Sequence, residues 1–167
     1  QHINSRILKL MGRKTNREQI ENTIKLIREK ISNVVLRTSL IVGFPSETKE
    51  EFEELKDFLS EYKLDKVGVF AYSQEEGTPA ARIDNQIDDD TKEERLNIAS
   101  QEQYYIQSNL LDNCIGKIYS VVIDECFDDY SIGRYYGQCP NIDSCIYISE
   151  KLDVGNIYKI KIYSYLK

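Results

Sequence analysis

The sequence has a single histidine, His2, and four cysteines: Cys114, Cys126, Cys139 and Cys145. No two cysteines form a C-x-x-C pair, and the closest are separated by five residues. Zinc and iron–sulfur sites announce themselves with tighter clusters, so neither is expected within this chain. One histidine also disfavours a histidine-rich metal site or a Ser/His/Asp triad. What remains for the cysteines is the role of small buried hydrophobes in a reducing, cytoplasmic compartment. No apolar run approaches the roughly 20 residues of a membrane helix, and residues 1–15 lack the apolar core of a signal peptide, so no membrane partner is expected. Positive charge is also in short supply. The 22 Lys and Arg against 28 Asp and Glu give a net charge of -6, and the pI is ≈ 5.0. That balance argues against a free-standing duplex-DNA binder, whose footprint is basic. There is no internal repeat and no low-complexity segment.

What is present suffices for one ordinary domain or two small ones: 167 residues, 41% hydrophobic, with a mean hydropathy of -0.49. Position 1 is Gln and Lys167 follows directly on a strand-like run, so the chain reads as a fragment of a longer one. Ile3, Ile7, Leu8 and Met11 have the spacing of a short amphipathic helix. Thr15-x-x-Glu18 reads as a capping box opening a second helix, with Ile20, Ile24, Ile27 and Ile31 as its buried stripe. Residues 34–42 (VVLRTSLIV) and 66–72 (KVGVFAY) read as strands buried on both faces. Between them, Thr48-x-x-Glu51 opens a helix with Phe52, Leu55 and Leu59 on one face, ending near Tyr62. Strand, helix, strand with buried runs is a βαβ unit with parallel strands, and ligands of such sheets bind at the C-terminal strand ends. The functional edge is therefore expected at Gly43–Thr48 and Tyr72–Ala80. Thr91-x-x-Glu94 reads as the start of a third long helix running to about Asn113. From Lys117 onward come short strands with turn residues between them, which suggests a small barrel or sandwich.

Particular runs of residues carry a family resemblance. Gln1-His2, Met11-x-Arg13, Arg37-Thr38-x-x-Ile41-Val42-Gly43-Phe44-Pro45-x-Glu47-Thr48 and Tyr72-Ser73-x-Glu75-Glu76-Gly77-Thr78-Pro79-Ala80 resemble the radical-SAM methylthiotransferases. Ile115-Gly116, Ile132-Gly133-Arg134 and Pro140-x-Ile142-Asp143 are similar to their TRAM domain. The Glu75–Pro79 run is most like the branch that modifies an aspartate of a small-subunit ribosomal protein. The resemblance implies an α/β fold: the C-terminal part of a partial (βα) radical-SAM barrel over residues 1–103, connecting helix included. A small all-β, OB-like TRAM barrel would follow over residues 104–167.

The same resemblance implies the cofactors S-adenosyl-L-methionine and, in the parent protein, 4Fe–4S clusters whose ligands are not in this chain; the fragment alone is expected to be inactive. It implies Gln1 at the ribose and Arg13 at the methionine carboxylate, with Ser39, Ile41 and Gly43 approaching ribose and adenine. Ile41 would be a core residue in any such barrel, and Gly43-Phe44-Pro45 would serve equally as a strand-ending turn. Ser46 stands where the family usually has Gly, which puts the tightness of this turn in question. Glu75 and Glu76 would steer a basic ribosomal protein, with Arg134 as a structural or partner contact; a solvated acidic loop is the plainer reading of the two glutamates. The tail from Tyr104 to Lys167 has six basic and eight acidic residues, a net of -2. It is not basic, so contact with the ribosome or RNA through TRAM tyrosines is the weaker expectation, and half-buried strand tyrosines the stronger. The rival readings are a tRNA methylthiotransferase and a non-catalytic adaptor module. A barrel cut in its middle exposes a strand edge along VVLRTSLIV, so self-association is expected.

Overall fold

The computed structural model describes residues 1–165. They divide into two compact units, Gln1–Asn109 and Leu110–Lys167. Lys167, counted among the basic residues of the tail, lies outside the described residues.

The first unit contains helices α1 (Ser5–Leu10), α2 (Arg17–Lys30) and α3 (Lys49–Tyr62), strands β1 (Arg37–Val42) and β2 (Lys66–Ala71), a short 3-10 turn (Ala80–Arg82) and most of α4 (Asp89–Asp112). β1 and β2 are parallel, in register from Arg37 opposite Lys66 to Val42 opposite Ala71. The βαβ reading therefore holds. α3 starts where its capping box predicts. The Thr48 hydroxyl accepts from the Glu51 amide, and the Glu51 carboxylate accepts from the Thr48 amide at 2.9 Å. It ends at Lys63, whose φ of 44° turns the chain out of the helix. Its apolar stripe (Phe52, Leu55, Phe58, Leu59, Tyr62) is buried, as are Leu40 and Val42 of β1 and Ile3, Ile7 and Leu8 around α1.

Several expectations need correction here. The strands are buried on one face only. Leu40 and Val42 are buried, whereas Ser39 is exposed and Ile41 half-buried, and on β2 Phe70 is 56% exposed. A two-stranded sheet with helices on one side leaves its other face open, and apolar composition alone does not reveal that. α2 begins one residue later than the Thr15 box implies: Asn16 is the cap, exchanging hydrogen bonds with Gln19. Of its isoleucine stripe only Ile24 is buried, and Ile31 is 53% exposed. α4 opens upstream of Thr91, with the Asp88 carboxylate accepting from both the Thr91 amide and hydroxyl at 2.8 Å. Those bonds hold the Asp88 carboxyl below its ordinary pKa. In both helices a polar residue other than the expected one, Asn16 after Thr15 and Asp88 before Thr91, makes the observed capping bonds.

The second unit is a four-stranded antiparallel sheet of β3 (Ile118–Cys126), β4 (Ser131–Tyr135), β5 (Ile146–Ile148) and β6 (Ile157–Lys161), in the order β5-β4-β3-β6. A bulge interrupts β3 between Ile123 and Glu125, the device that curls a small sheet. Its core is Val121, Ile123 and Ile148, flanked by partly buried Tyr119, Tyr135, Ile146, Leu152, Tyr158 and Ile160. Tyr119 donates to Cys114 Sγ at 3.2 Å, and burial first, then that contact, pushes its phenol pKa up. Gly133 is a packing requirement: a Cβ there would lie 2.5 Å from the Val122 carbonyl oxygen and 2.7 Å from Val121 Cγ1. The cysteines are less buried than expected: Cys114, Cys126 and Cys139 are half-buried and Cys145 is exposed.

Candidate functional site

A cavity of about 630 Å³ opens in the first unit, on the uncovered face and C-terminal ends of β1 and β2. That is within the range of small-molecule sites, roughly 300–1,000 Å³. Ser39 and Ile41 of β1, Phe70 and Ala71 of β2, and Leu10, Met11 and Gly12 after α1 line it. The turn after β1 contributes Phe44, and the loop after β2 contributes Tyr72, Ser73, Thr78, Pro79 and Ala80. The strand-end expectation thus located the cavity, because β1 and β2 run parallel and both deliver their loops to one end.

Of the residues named from sequence, Gln1, Ser39 and Ile41 line this cavity. The Gln1 carbonyl accepts from the Ile41 amide at 2.8 Å, so Gln1 lies alongside β1 and meets part of its outer edge. Arg13 Nε donates to Gln1 Oε1 at 3.0 Å; twelve residues apart, the two are brought together by α1. Gly43 is not in the wall. It is buried, at φ 69°, and a Cβ there would lie 2.5 Å from Lys92 Cγ. Its lack of a side chain therefore lets α4 approach the turn. Ser46 takes φ 68°, a conformation that favours glycine. The turn persists because the Ser46 amide donates to Asn85 O at 2.9 Å and its hydroxyl to Asp84 O at 3.1 Å. Glu75 accepts from the Ser73 hydroxyl at 2.9 Å, and Glu76 is exposed. Arg134 belongs to the second unit, where it pairs with Asp124 at 3.1 Å.

Sequence reasoning placed Phe44 and Tyr72 on the expected strand-end edge but missed Phe70. Phe70 was read as a core residue, yet it lies on the open sheet face. Phe44 and Tyr72 meet edge-to-face at 5.2 Å, and the Lys92 ammonium sits 5.9 Å from the Tyr72 ring centre.

Behind the cavity lies a network of charged groups. Arg6 pairs with Glu51, Nε to Oε1 at 2.7 Å, and holds the Glu51 carboxyl below its ordinary pKa. Glu47, fully buried, accepts from the Phe44 amide through Oε2 at 3.0 Å and faces Arg95 Nη1 at 3.3 Å.

The comparisons with known proteins agree with this geometry. Residues 1–59 match the radical SAM superfamily and residues 115–166 match the TRAM domain. A Clostridium perfringens protein, ribosomal protein uS12 methylthiotransferase RimO, is 49% identical over 148 residues, which is 89% of this chain and 33% of that protein. Its Clostridium botulinum counterpart is 48% identical over 164 residues, 97% of this chain and 37% of that protein. The chain is thus similar to radical-SAM methylthiotransferases along most of its length. It spans about a third of the length of the curated relatives it matches.

The fold is accordingly a radical-SAM portion followed by an OB-like TRAM sheet. The similarity to radical-SAM proteins raises two kinds of cofactor, and the residues present suit them unequally. The cavity, with apolar walls, the Gln1 amide and the Ser39 hydroxyl, suits a nucleoside-bearing ligand such as S-adenosyl-L-methionine. An iron–sulfur cluster is not suited: among the described residues no group of three or more His, Cys, Asp or Glu side chains is arranged to hold a metal ion. No described helix is long and apolar enough to cross a membrane.

Proposed function

We propose that this chain is part of a cytoplasmic enzyme that methylthiolates the β-carbon of an aspartate in ribosomal protein uS12. The cavity of the first unit takes S-adenosyl-L-methionine in this reading. The observation that carries it is the cavity wall: a glutamine and a serine beside apolar and aromatic surfaces at parallel strand ends, in a chain nearly half identical to two proteins named for that reaction. Gln1 and Ser39 hydrogen-bond the ribose, and Ile41 and the wall aromatics hold the adenine. Arg13, kept at the cavity rim by Gln1, takes the methionine carboxylate. Gly43 serves the site through the close approach of α4 rather than by touching ligand. When bound, S-adenosyl-L-methionine supplies the methyl group and the radical chemistry, and the protein supplies positioning and water exclusion. The 4Fe–4S ligands belong to other parts of the parent protein, and this chain alone is inactive.

The exposed Glu75 and Glu76, in the loop that also supplies Ser73 and Thr78 to the cavity, meet the Lys/Arg-rich substrate. Such exposed charges set encounter and register more than affinity. Arg134 and the TRAM sheet contact the ribosomal protein or its RNA. The test uses the full-length protein, reconstituted anaerobically and offered uS12 and tRNA in parallel. Mass-spectrometric gain of a methylthio group on the uS12 aspartate is expected. Modification of tRNA instead, or of neither with no cleavage of S-adenosyl-L-methionine, overturns the proposal.

A further inference from the structure

We infer that His2 is a positioning residue: through Glu47 it locks together two parts of the cavity wall, Gln1 and Phe44. His2 is 2% exposed, and its side chain is wholly shielded from solvent. Its Nδ1 accepts from the Asn4 amide at 3.0 Å. An accepting Nδ1 has no proton, so the ring is the neutral tautomer with its proton on Nε2. Nε2 lies 3.9 Å from Glu47 Oε1 and has no hydrogen-bond partner among the described residues; Oε1 itself is 3.3 Å from Arg95 Nη1.

Little solvent screens a buried N–H donor facing a carboxylate oxygen, and without Glu47 the His2 donor would be left buried with no acceptor beside it. Arg95 shares Oε1 with His2 from the α4 side, whereas among the described residues only His2 links it to the Gln1 segment. Arg95 offsets the Glu47 charge, and its Nη1 also donates to the Glu47 backbone carbonyl at 3.1 Å. The other charged pair nearby, Arg6 with Glu51, satisfies itself.

The wall hangs on both ends of this contact. On the histidine side, the neighbouring Gln1 carbonyl accepts from the Ile41 amide, and the Gln1 side chain receives Arg13. On the glutamate side, Oε2 holds the Phe44 amide. Gln1, Ile41 and Phe44 all line the cavity, whereas His2 and Glu47 do not. A shift at His2 therefore moves the ligand-facing groups without removing any of them. The ligand half of this inference rests on the nucleoside reading of the cavity; the positional half does not.

The experiment compares His2→Asn and His2→Gln in the full-length protein. Asparagine keeps an acceptor where Nδ1 is and removes the donor facing Glu47; glutamine keeps a donor near Nε2. Amide hydrogen exchange reads the positional half. In His2→Asn the Ile41 and Phe44 amides exchange faster, the Tyr72 amide, bonded to Val42 O, does not change, and His2→Gln restores the first two. Glu47→Gln, read the same way, gives the same two fast amides and keeps the test open should His2→Asn fail to fold. Ile41 and Phe44 unchanged in both variants overturns the inference. So does acceleration spread evenly over the unit together with a lowered melting temperature, which marks a merely structural residue. S-adenosylhomocysteine titrated by calorimetry reads the ligand half. Affinity is expected to fall about tenfold in His2→Asn, the lower end of what partners one step removed from a site contribute, and to recover in His2→Gln. If the unsubstituted protein does not bind this probe, the nucleoside reading fails, and the exchange data alone decide the role of His2.

Discussion

The two units bury their apolar surface in different ways. The first draws on two helices and a strand, with Ile3, Ile7, Leu55, Leu59 and Val42 at 0% exposure. Among the described residues of the second, Val121 and Ile123 are the apolar side chains at 0–1% exposure, and half-buried tyrosines supply much of the rest. The first unit can therefore leave a whole sheet face uncovered and still keep a core, and that uncovered face is where the cavity lies. The second spends its inward side chains on closing a small sheet, and its outward face is left with exposed residues such as Tyr147 and Ile157. A site of nucleoside size needs the surplus, which the first unit alone has.

Breaking that contrast starts in the larger core. Leu55→Ala leaves a void among fully buried neighbours and is expected to cost about 2–5 kcal/mol, measured by denaturant unfolding with a probe specific to the first unit. A cost below that range would mean that the unit repacks freely. In the second unit the limit is room rather than bulk. Gly133→Ala drives a methyl into the Val122 carbonyl and is expected to cost about 1–3 kcal/mol. The loss should appear in the second unit's melting transition and spare the first; a single shared shift would show that the units do not unfold independently.

Acid sharpens the comparison through a pair only the first unit has. The Arg6 guanidinium holds the Glu51 carboxyl below its ordinary 4.5. A depressed folded-state pKa adds stability above the unfolded value, and this is lost as pH falls through the folded one. Unfolding of the first unit should thus ease in acid below about pH 4.5. Glu51→Gln should flatten that limb by less than about 1 kcal/mol, since Arg6 is half exposed. An unchanged pH profile would assign the acid response elsewhere. The smallest effect is at Ser46. Ser46→Gly relieves the left-handed backbone but loses the bond to Asp84, and the two offset to within about 1 kcal/mol. Ser46→Ala loses the bond and keeps the strain, so it should be the less stable of the pair in a thermal melt.

Among the described residues the two-stranded sheet, like the open four-stranded one, ends in unpaired outer edges. Gln1 meets β1 at Ile41, and no ladder extends the sheet past either strand among the described residues. Uncapped strand edges recruit partners. The isolated chain is therefore expected to self-associate, and a monomer by light scattering at high concentration would refute this.

Much of this was legible in the residues. The Thr48–Glu51 box, the parallel βαβ unit and the strand-end location of the cavity follow from local chemistry and a simple topological rule. Gln1, Ser39 and Ile41 were named from a resemblance and do line the cavity. Phe70 and the linking of His2, Glu47 and Arg95 into one network were not legible. Glu47 and Arg95 are 48 residues apart, on a turn and a distant helix, and no spacing rule joins them. Likewise Thr15 and Asn16 are both residue types that cap helices, and Asn16 makes the bonds.

By itself, then, the sequence determined most of the elements, the parallel sense of β1 and β2, and the resemblance to radical-SAM methylthiotransferases, because periodicity, capping and motif are local properties of the chain. The tertiary structure alone decided which face of each strand is open, why Gly43 must lack a side chain, and what a buried histidine faces. Burial is a property of what comes to lie against a residue, and its neighbours in the chain do not specify that.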